Sequence, residues 1–301
     1  MEMVRDFTGS QVNRLRIYGG AKGSKIGIYY QGDHYMLKFP SKNLRNPDAS
    51  YINSCICEYI ACHIFESLGI YTQVTILGTY NDKLTVACKD FETDGFILKE
   101  FAYLKNTIID SSESGYGTEL ADVLDTIREQ QLVSPVALEE FFWSMFIADA
   151  LLGNFDRHNG NWGFLINEKT GEVKIAPVFD CGSCLYPQLD ESKMLYVLEN
   201  KKELEDRVYV FPNSALKQDG VKINYFGYLM STENERCLKA LGVIGDRVDM
   251  GKIDAIVDDT PYISGEHKLF LKTMIMERKK RIIDPAVERS RTMSGESYGT
   301  L

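Results

Sequence analysis

Residues 153 to 184, GNFDRHNGNWGFLINEKTGEVKIAPVFDCGSC, carry the reading that organises this chain. Asp156 is followed five residues later by Asn161, and Asp180 closes a run, Val173 to Phe179, that reads as a short strand. The turn Asn167-Glu-Lys-Thr-Gly171 between them predicts a hairpin that brings Asp180 back toward Asp156 and Asn161. Phosphoryl transfer needs such a set. One carboxylate orients the attacking hydroxyl and accepts its proton, while a second carboxylate and an amide oxygen hold magnesium on nucleotide phosphates.

The spacing D-x-x-x-x-N is that of a protein-kinase catalytic loop, and the later F-D-C-G stands where D-F-G would stand. Asp, Asn and Gly are also the usual turn residues, and the spacing alone recurs by chance. Three neighbours add weight. A strongly apolar helical segment delivers the loop, a strand-like run leads into Asp180, and a Gly-rich segment with a following Lys lies near the N-terminus.

Working back, RLRIYGGAKGSKIGIYYQGDHYMLKFP (residues 14 to 40) predicts strands at Leu15 to Tyr18, Ile26 to Tyr30 and His34 to Phe39. In the first turn, Gly19 to Lys25, the small residues Gly20, Ala21, Gly23 and Ser24 let backbone N–H groups approach phosphates, and Lys22 and Lys25 supply charge. Taken alone, a plain flexible hairpin loop is the better reading; it is not a Walker loop, since no G-K-[ST] opens a helix. Lys38 sits in the apolar strand Met36 to Phe39, and an inward ammonium needs an anionic partner such as ATP phosphates.

Residues 49 to 69 predict a helix in which Ile52, Ile56, Ile60, Ile64 and Leu68 form one stripe and Cys55, Cys62 and Phe65 crowd the far side, so the helix is buried. Glu58 falls within that second set. Either it pairs with Lys38, as in kinases, or it is a partly exposed residue at the helix edge. Strands at Tyr71 to Tyr80 and Leu84 to Cys88 lead to a polar stretch, Lys89 to Asp94, where a hinge to a second lobe would fall with backbone groups free for adenine. Ser134-Pro135 opens a core helix that runs to Leu152 and stops at Gly153. Beyond Asp180, helices are expected at about 191 to 206, 232 to 242, 250 to 259 and 265 to 283, with a frayed tail from Arg289.

The 301 residues suffice for two lobes with separate cores, and 44% hydrophobic with 26% charged content is that of a globular protein. The net charge of −9 argues against a nucleic-acid partner. No stretch reads as a membrane span or a signal peptide, so synthesis and residence in the cytoplasm are expected; export without a cleavable signal would leave no readable trace. Seven cysteines, mostly within apolar segments, suit free thiols. Cys181 and Cys184 form a C-x-x-C without thioredoxin-like surroundings or the further ligands a zinc site needs.

Together GGAKGSK, MLKFP, the helix with Glu58, LLGNFDRHNGN and IAPVFDCGSC resemble the HipA-like bacterial serine/threonine kinases, especially their short CtkA-type members, over roughly residues 10 to 285. The resemblance implies an α+β, atypical two-lobed protein-kinase-like fold: a β-rich N-lobe (1–91), a mostly helical C-lobe (92–288) and a flexible tail (289–301). It implies ATP and Mg2+ as cofactors and a protein Ser/Thr hydroxyl as acceptor, the chain's own included. Asp156 would be catalytic with His158 beside the phosphates, and Asn161 and Asp180 would hold the metal. Gly20 to Lys25, Lys38 and Glu58 would bind the nucleotide, with Lys89 and Phe91 at the hinge. Tyr18 aligns with the autophosphorylated serine of HipA, a role Ser24 is placed to substitute. Two other readings compete. D-R-H-x-x-N followed by D-x-G also resembles phosphoinositide kinases, which favour a basic lipid-facing surface. A nucleotide-binding module without turnover would have no need of the intact Asp156, Asn161 and Asp180.

Overall fold

The computed structural model describes residues 5–16, 18, 25–40, 50–109 and 114–293. The expected positions Gly20, Ala21, Lys22, Gly23 and Ser24 lie outside the described residues.

The chain opens with short strands β1 (Arg5–Asp6) and β2 (Gln11–Val12), followed by the hairpin β3 (Lys25–Tyr30) and β4 (Asp33–Lys38). Helix α1 (Ser54–Ser67) and the hairpin β5 (Thr75–Tyr80) and β6 (Lys83–Lys89) come next. These strands form one six-stranded sheet in the order β1-β5-β6-β4-β3-β2, with only β1 parallel to its neighbour. Register across β3 and β4 places Lys25 opposite Lys38, so two cations share one end of the hairpin. Among the described residues of the strand expected at Leu15 to Tyr18, none is in a strand. Arg14 and Leu15 make a turn, and Val12 rather than this segment pairs with Ile28.

Two elements had no clear signal: β7 (Phe96–Glu100) and α2 (Phe101–Ile108). A third, α3 (Leu120–Glu129), buries Leu120, Val123, Leu124 and Ile127 at helical spacing. Helix α4 (Pro135–Leu152) has the expected bounds. Ser134 accepts from the Ala137 N–H, Pro135 fills the first turn, and Gly153 at φ 65° ends the helix in a left-handed conformation that costs a glycine little. Strands β8 (Gly163–Asn167) and β9 (Val173–Ile175) pair as the hairpin read from the turn and join β7 in a three-stranded sheet. The run to Phe179 stops being a strand at Ile175, because Pro177 lacks the N–H a ladder needs.

The helices expected next are largely present, with corrected ends. Asn200 breaks the first into α5 (Glu191–Glu199) and α6 (Lys201–Tyr209); its side chain caps the second by accepting from the Lys202 and Glu203 N–H groups. A small hairpin, β10 (Lys217–Gln218) and β11 (Val221–Lys222), precedes α7 (Tyr225–Ser231), α8 (Glu235–Arg247), α9 (Met250–Asp259) and α10 (Gly265–Arg278). A π-helical turn, Lys279–Ile283, then leads into α11 (Asp284–Met293). Residues 289 to 293, expected to fray, are helical because Ala286, Val287 and Ser290 are buried.

The expectation of separate cores is corrected. Helix α1 is buried nearly all round, through Ile56, Ile60, Phe65 and its cysteines, and its core residues belong to one cluster with the C-terminal helices. A small second cluster of Phe7, Ile28, Tyr35, Leu37 and Ala87 covers the other face of the large sheet. Among the described residues no helix is long and apolar enough to cross a membrane.

Candidate active site

Between the large sheet and the β7-β8-β9 sheet lies a cavity of about 450 Å³. Lys25 and Lys38 from the first sheet and His158, Asn161 and Asp180 from the loops line it, as does Phe91 of the connecting segment. Its size falls within the usual range for small-ligand sites.

Lys38 is the centre of charge. Its ammonium lies 3.1 Å from Glu58 Oε1 and 3.0 Å from Asp180 Oδ1. The contact with Asp180 is a directed hydrogen bond, whereas that with Glu58 is a close ion pair without hydrogen-bond alignment. Glu58 is therefore the buried partner and not an edge residue. Burial works against the Lys38 charge, but Asp180 and Glu58 outweigh it and hold its pKa well above the ordinary value. Burial raises the pKa of Glu58 despite Lys38, whereas Lys38 holds that of Asp180 down to about 2. Gly182 of the D-C-G run gives Glu58 room: a Cβ there would stand 3.2 Å from Glu58 Oε2.

The loop that carries Asp156 is held from within. Asp149, buried on α4, accepts from Asn154 Nδ2 at 2.7 Å and Arg157 Nε at 3.0 Å, and Asn154 Oδ1 accepts from the Asp156 N–H at 3.0 Å. Arg157 then reaches across with Nη1, donating to the Asn161 carbonyl at 2.9 Å and also to the Phe179 carbonyl. One guanidinium thus ties the loop of Asp156 and Asn161 to the segment ending at Asp180. Asp180 itself has φ 56°, a left-handed backbone that costs a non-glycine residue energy and that this grip sustains.

Asp156 is exposed and does not itself line the cavity, although His158 and Asn161 of the same loop do. Partial burial and the Asp180 charge raise its pKa, and His158 opposes them. Asn161 Nδ2 donates to the Asp156 carbonyl at 2.8 Å, which turns Oδ1 into its remaining acceptor. His158 Nδ1 accepts from the Gly160 N–H at 3.0 Å.

The comparisons with known proteins agree. Residues 18–236 match the HipA-like C-terminal domain family. The chain is 51% identical to the serine/threonine-protein kinase CtkA of Helicobacter pylori (strain J99) over 290 residues, covering 96% of this chain and 89% of that one. It belongs to the HipA-like serine/threonine kinases. The crystal structure of the Helicobacter pylori proinflammatory kinase CtkA superposes with a TM-score of 0.89 at 48% identity, covering 97% of this chain and all of that one. The HipA–HipB operator-DNA complex of Shewanella oneidensis MR-1 matches at TM-score 0.56 and 13% identity over 92% of this chain and 70% of that one, a likeness of fold alone.

In this HipA-like kinase the cavity gathers Lys25, Lys38, Phe91, His158, Asn161 and Asp180, while Glu58 stands behind Lys38. Two expected residues do not line the cavity: Asp156, which is exposed, and Lys89, whose ammonium turns to Asp33 at 2.7 Å. The segment expected to carry the hinge, Lys89 to Asp94, is instead tied by side chains to the segment before β3. Arg16 Nε donates to Asp90 Oδ2 at 2.8 Å and its Nη2 also meets Glu92; Tyr18 OH donates to Asp90 Oδ2 at 3.1 Å. Sequence reading missed Arg157 and Asp149, though a buried acid on α4 eight residues before an arginine was a readable signal of pairing. Cys181 and Cys184 are buried free thiols, and Arg157 Nη2 lies 3.3 Å from Cys181 Sγ.

Proposed function

We propose that this kinase transfers the γ-phosphate of ATP bound in the 450 Å³ cavity to a Ser or Thr hydroxyl of a protein held at Asp156. The observation that carries the reading is Lys38 between Glu58 and Asp180, at 3.1 and 3.0 Å. A cation fixed by one buried and one cavity-facing carboxylate is positioned for nucleotide phosphates and cannot drift with either lobe. Residues 1–91 then form the nucleotide-covering lobe and 92–288 the catalytic lobe.

The donor set suits magnesium. Asp180 is held ionised, Asn161 keeps an amide oxygen facing the cavity, and few protein oxygens are needed where phosphates supply the rest. Bound there by Asn161 and Asp180, the ion would neutralise charge on the phosphate oxygens. The remaining work falls to the chain. Lys38 and Lys25 draw the phosphates in, Phe91 and Phe179, with ring centres 5.6 Å apart, wall the base end, and Asp156 orients the acceptor hydroxyl and takes its proton. His158 lines the phosphate side of the loop.

Transfer from γ-labelled ATP with magnesium tests this, using a generic basic protein and the kinase alone. Asp156→Asn and Asp180→Asn should each lose on the order of 10²–10⁴-fold in kcat. Wild-type turnover in Asp156→Asn would sink the assignment. Label on the wild-type chain without added protein would add self-phosphorylation.

A further inference from the structure

The loop that carries Asp156 is gripped from two places outside it. Tyr225, at the start of α7, donates from its hydroxyl to the Asn154 carbonyl at 2.6 Å. Asn159 Nδ2 donates to the Gly115 and Gly117 carbonyls at 3.0 and 2.8 Å. Both grips lead to the β10–β11 hairpin. Lys222 of β11 stands just before Tyr225 in the chain. Lys217 of β10 donates its N–H to the carbonyl of Thr118, the neighbour of Gly117, at 2.8 Å. Each strand of the hairpin is thus tied to a segment that holds the Asp156 loop.

The hairpin is rigid. Asp219 and Gly220 form its turn with φ of 54° and 77°, both left-handed as a tight two-residue hairpin requires. Their N–H groups both donate to the Glu119 carboxylate, at 2.7 and 3.1 Å. Register sets Lys217 directly opposite Lys222. Like charges opposed across a strand pair destabilise it, so the fold gains nothing from this pairing. Lys222 is exposed, and no carboxylate of the described residues lies within ion-pair distance of its ammonium. Its charge nevertheless reaches the Asp156 carboxylate, where with His158 and Arg157 it opposes burial and the Asp180 charge.

Asp156 is itself exposed, and an acceptor hydroxyl seated on it brings the residues that flank the acceptor into the range of Lys222. Resting on the reading of Asp156 as the acceptor's base, we propose that Lys222 is a specificity residue that pairs with an Asp or Glu side chain near the acceptor Ser or Thr. The rigid hairpin holds the cation in place before the substrate arrives, so less freedom is lost on binding. The kinase thereby favours an acidic neighbour over a basic one, although its own net charge is −9.

The test is a set of Ser/Thr peptides in which each position flanking the acceptor is fixed in turn as Glu, Gly or Lys, assayed with the full chain at low salt. Wild type should show kcat/KM about threefold higher with Glu than with Gly at one position near the acceptor, and lower still with Lys, as an exposed ion pair supports. The spread should shrink as added salt screens it. Lys222→Ala should level the three peptides, and Lys222→Glu should reverse their order. Equal use of the three by wild type, or an order that survives Lys222→Glu, overturns the proposal. So does a Lys222→Ala variant that loses the same factor on every peptide and keeps the wild-type order, since the lysine would then serve Asp156 and not the substrate. Failure of the catalytic assignment reads differently: Asp156→Asn would then still transfer phosphate, whatever the flanking charge.

Discussion

Lys38 satisfies two carboxylates of opposite habit. Asp180 is 43% exposed and kept ionised, and Glu58 is buried with its pKa raised. Lys38→Met leaves Glu58 unpaired in the interior, where losing one partner of a buried pair typically costs about 3–5 kcal/mol. Because a raised carboxyl pKa favours the folded state at low pH, this loss should be greatest at neutral pH. It should shrink as pH falls toward the unfolded Glu value near 4.5 and Glu58 takes up a proton. Urea midpoints of wild type and mutant from pH 5 to 8 check it; a pH-independent difference would refute it. For Asp180 the sign is reversed. Its pKa is depressed to about 2 from 3.8, so it stabilises the fold above pH 4 and loses that contribution as pH falls from about 4 to 2. The stability gap between wild type and Asp180→Asn should close over that interval. Asp156, with its pKa raised, should place the acid limb of kcat/KM above the ordinary carboxylate range, and Asp156→Asn should remove that limb. That Asn161 and Asp180 would meet at one cavity was legible in the sequence, because a short loop and a tight hairpin leave them little freedom. The pairing of Lys38 with Glu58 was only half legible: the sequence offered Lys38 as the partner, but periodicity left open whether Glu58 was buried or stood at the helix edge.

At the scale of elements, Arg157 couples two loops that the chain separates by more than twenty residues. Its fork donates to Asp149, to the Asn161 carbonyl and to the Phe179 carbonyl. A lysine carries the same charge but has no fork. Arg157→Lys should therefore keep most of the stability by pairing with Asp149, yet let the proposed catalytic and metal-binding loops shift against each other. Misplacement of about 1 Å costs on the order of 10²-fold in rate, so kcat should fall by that order while KM for ATP changes little. A kcat within twofold of wild type would mean the carbonyl contacts are incidental. Sequence could not show this role, since the partners are main-chain oxygens and carry no residue signature. Helix α3 is a different case. Its Leu120, Val123, Leu124 and Ile127 recur at helical spacing, but the polar residues before it hid the start. Strand β7, FILKE, has no alternation to read, because it gains its place only by pairing with β8.

For the whole molecule, the cleft separates function more than it separates stability. Helix α1 meets β5 and β6 on one side and α9 on the other, so Ile56, Ile60, Leu77 and Val86 share one cluster with Trp143, Ile253 and Phe270. An apolar helix with no polar face was readable in the sequence, but not that its two sides would join the halves of the chain into one core. Two lobes with separate cores would unfold in two steps. One continuous core predicts a single transition, because freeing the N-terminal sheet with α1 would expose the apolar face of the C-terminal helices, at roughly 25 cal/mol per Å². The test compares far-UV circular dichroism, which reports all elements, with fluorescence of Trp143 and Trp162, both buried in the C-terminal half. The two urea curves should coincide. ATP with magnesium at a hundred times its Kd should move both by the same amount, about 2.7 kcal/mol. A dichroism step that precedes the tryptophan change, with only that step displaced by ATP, would show that the sheet and α1 come away alone and that the shared core does not bind the halves.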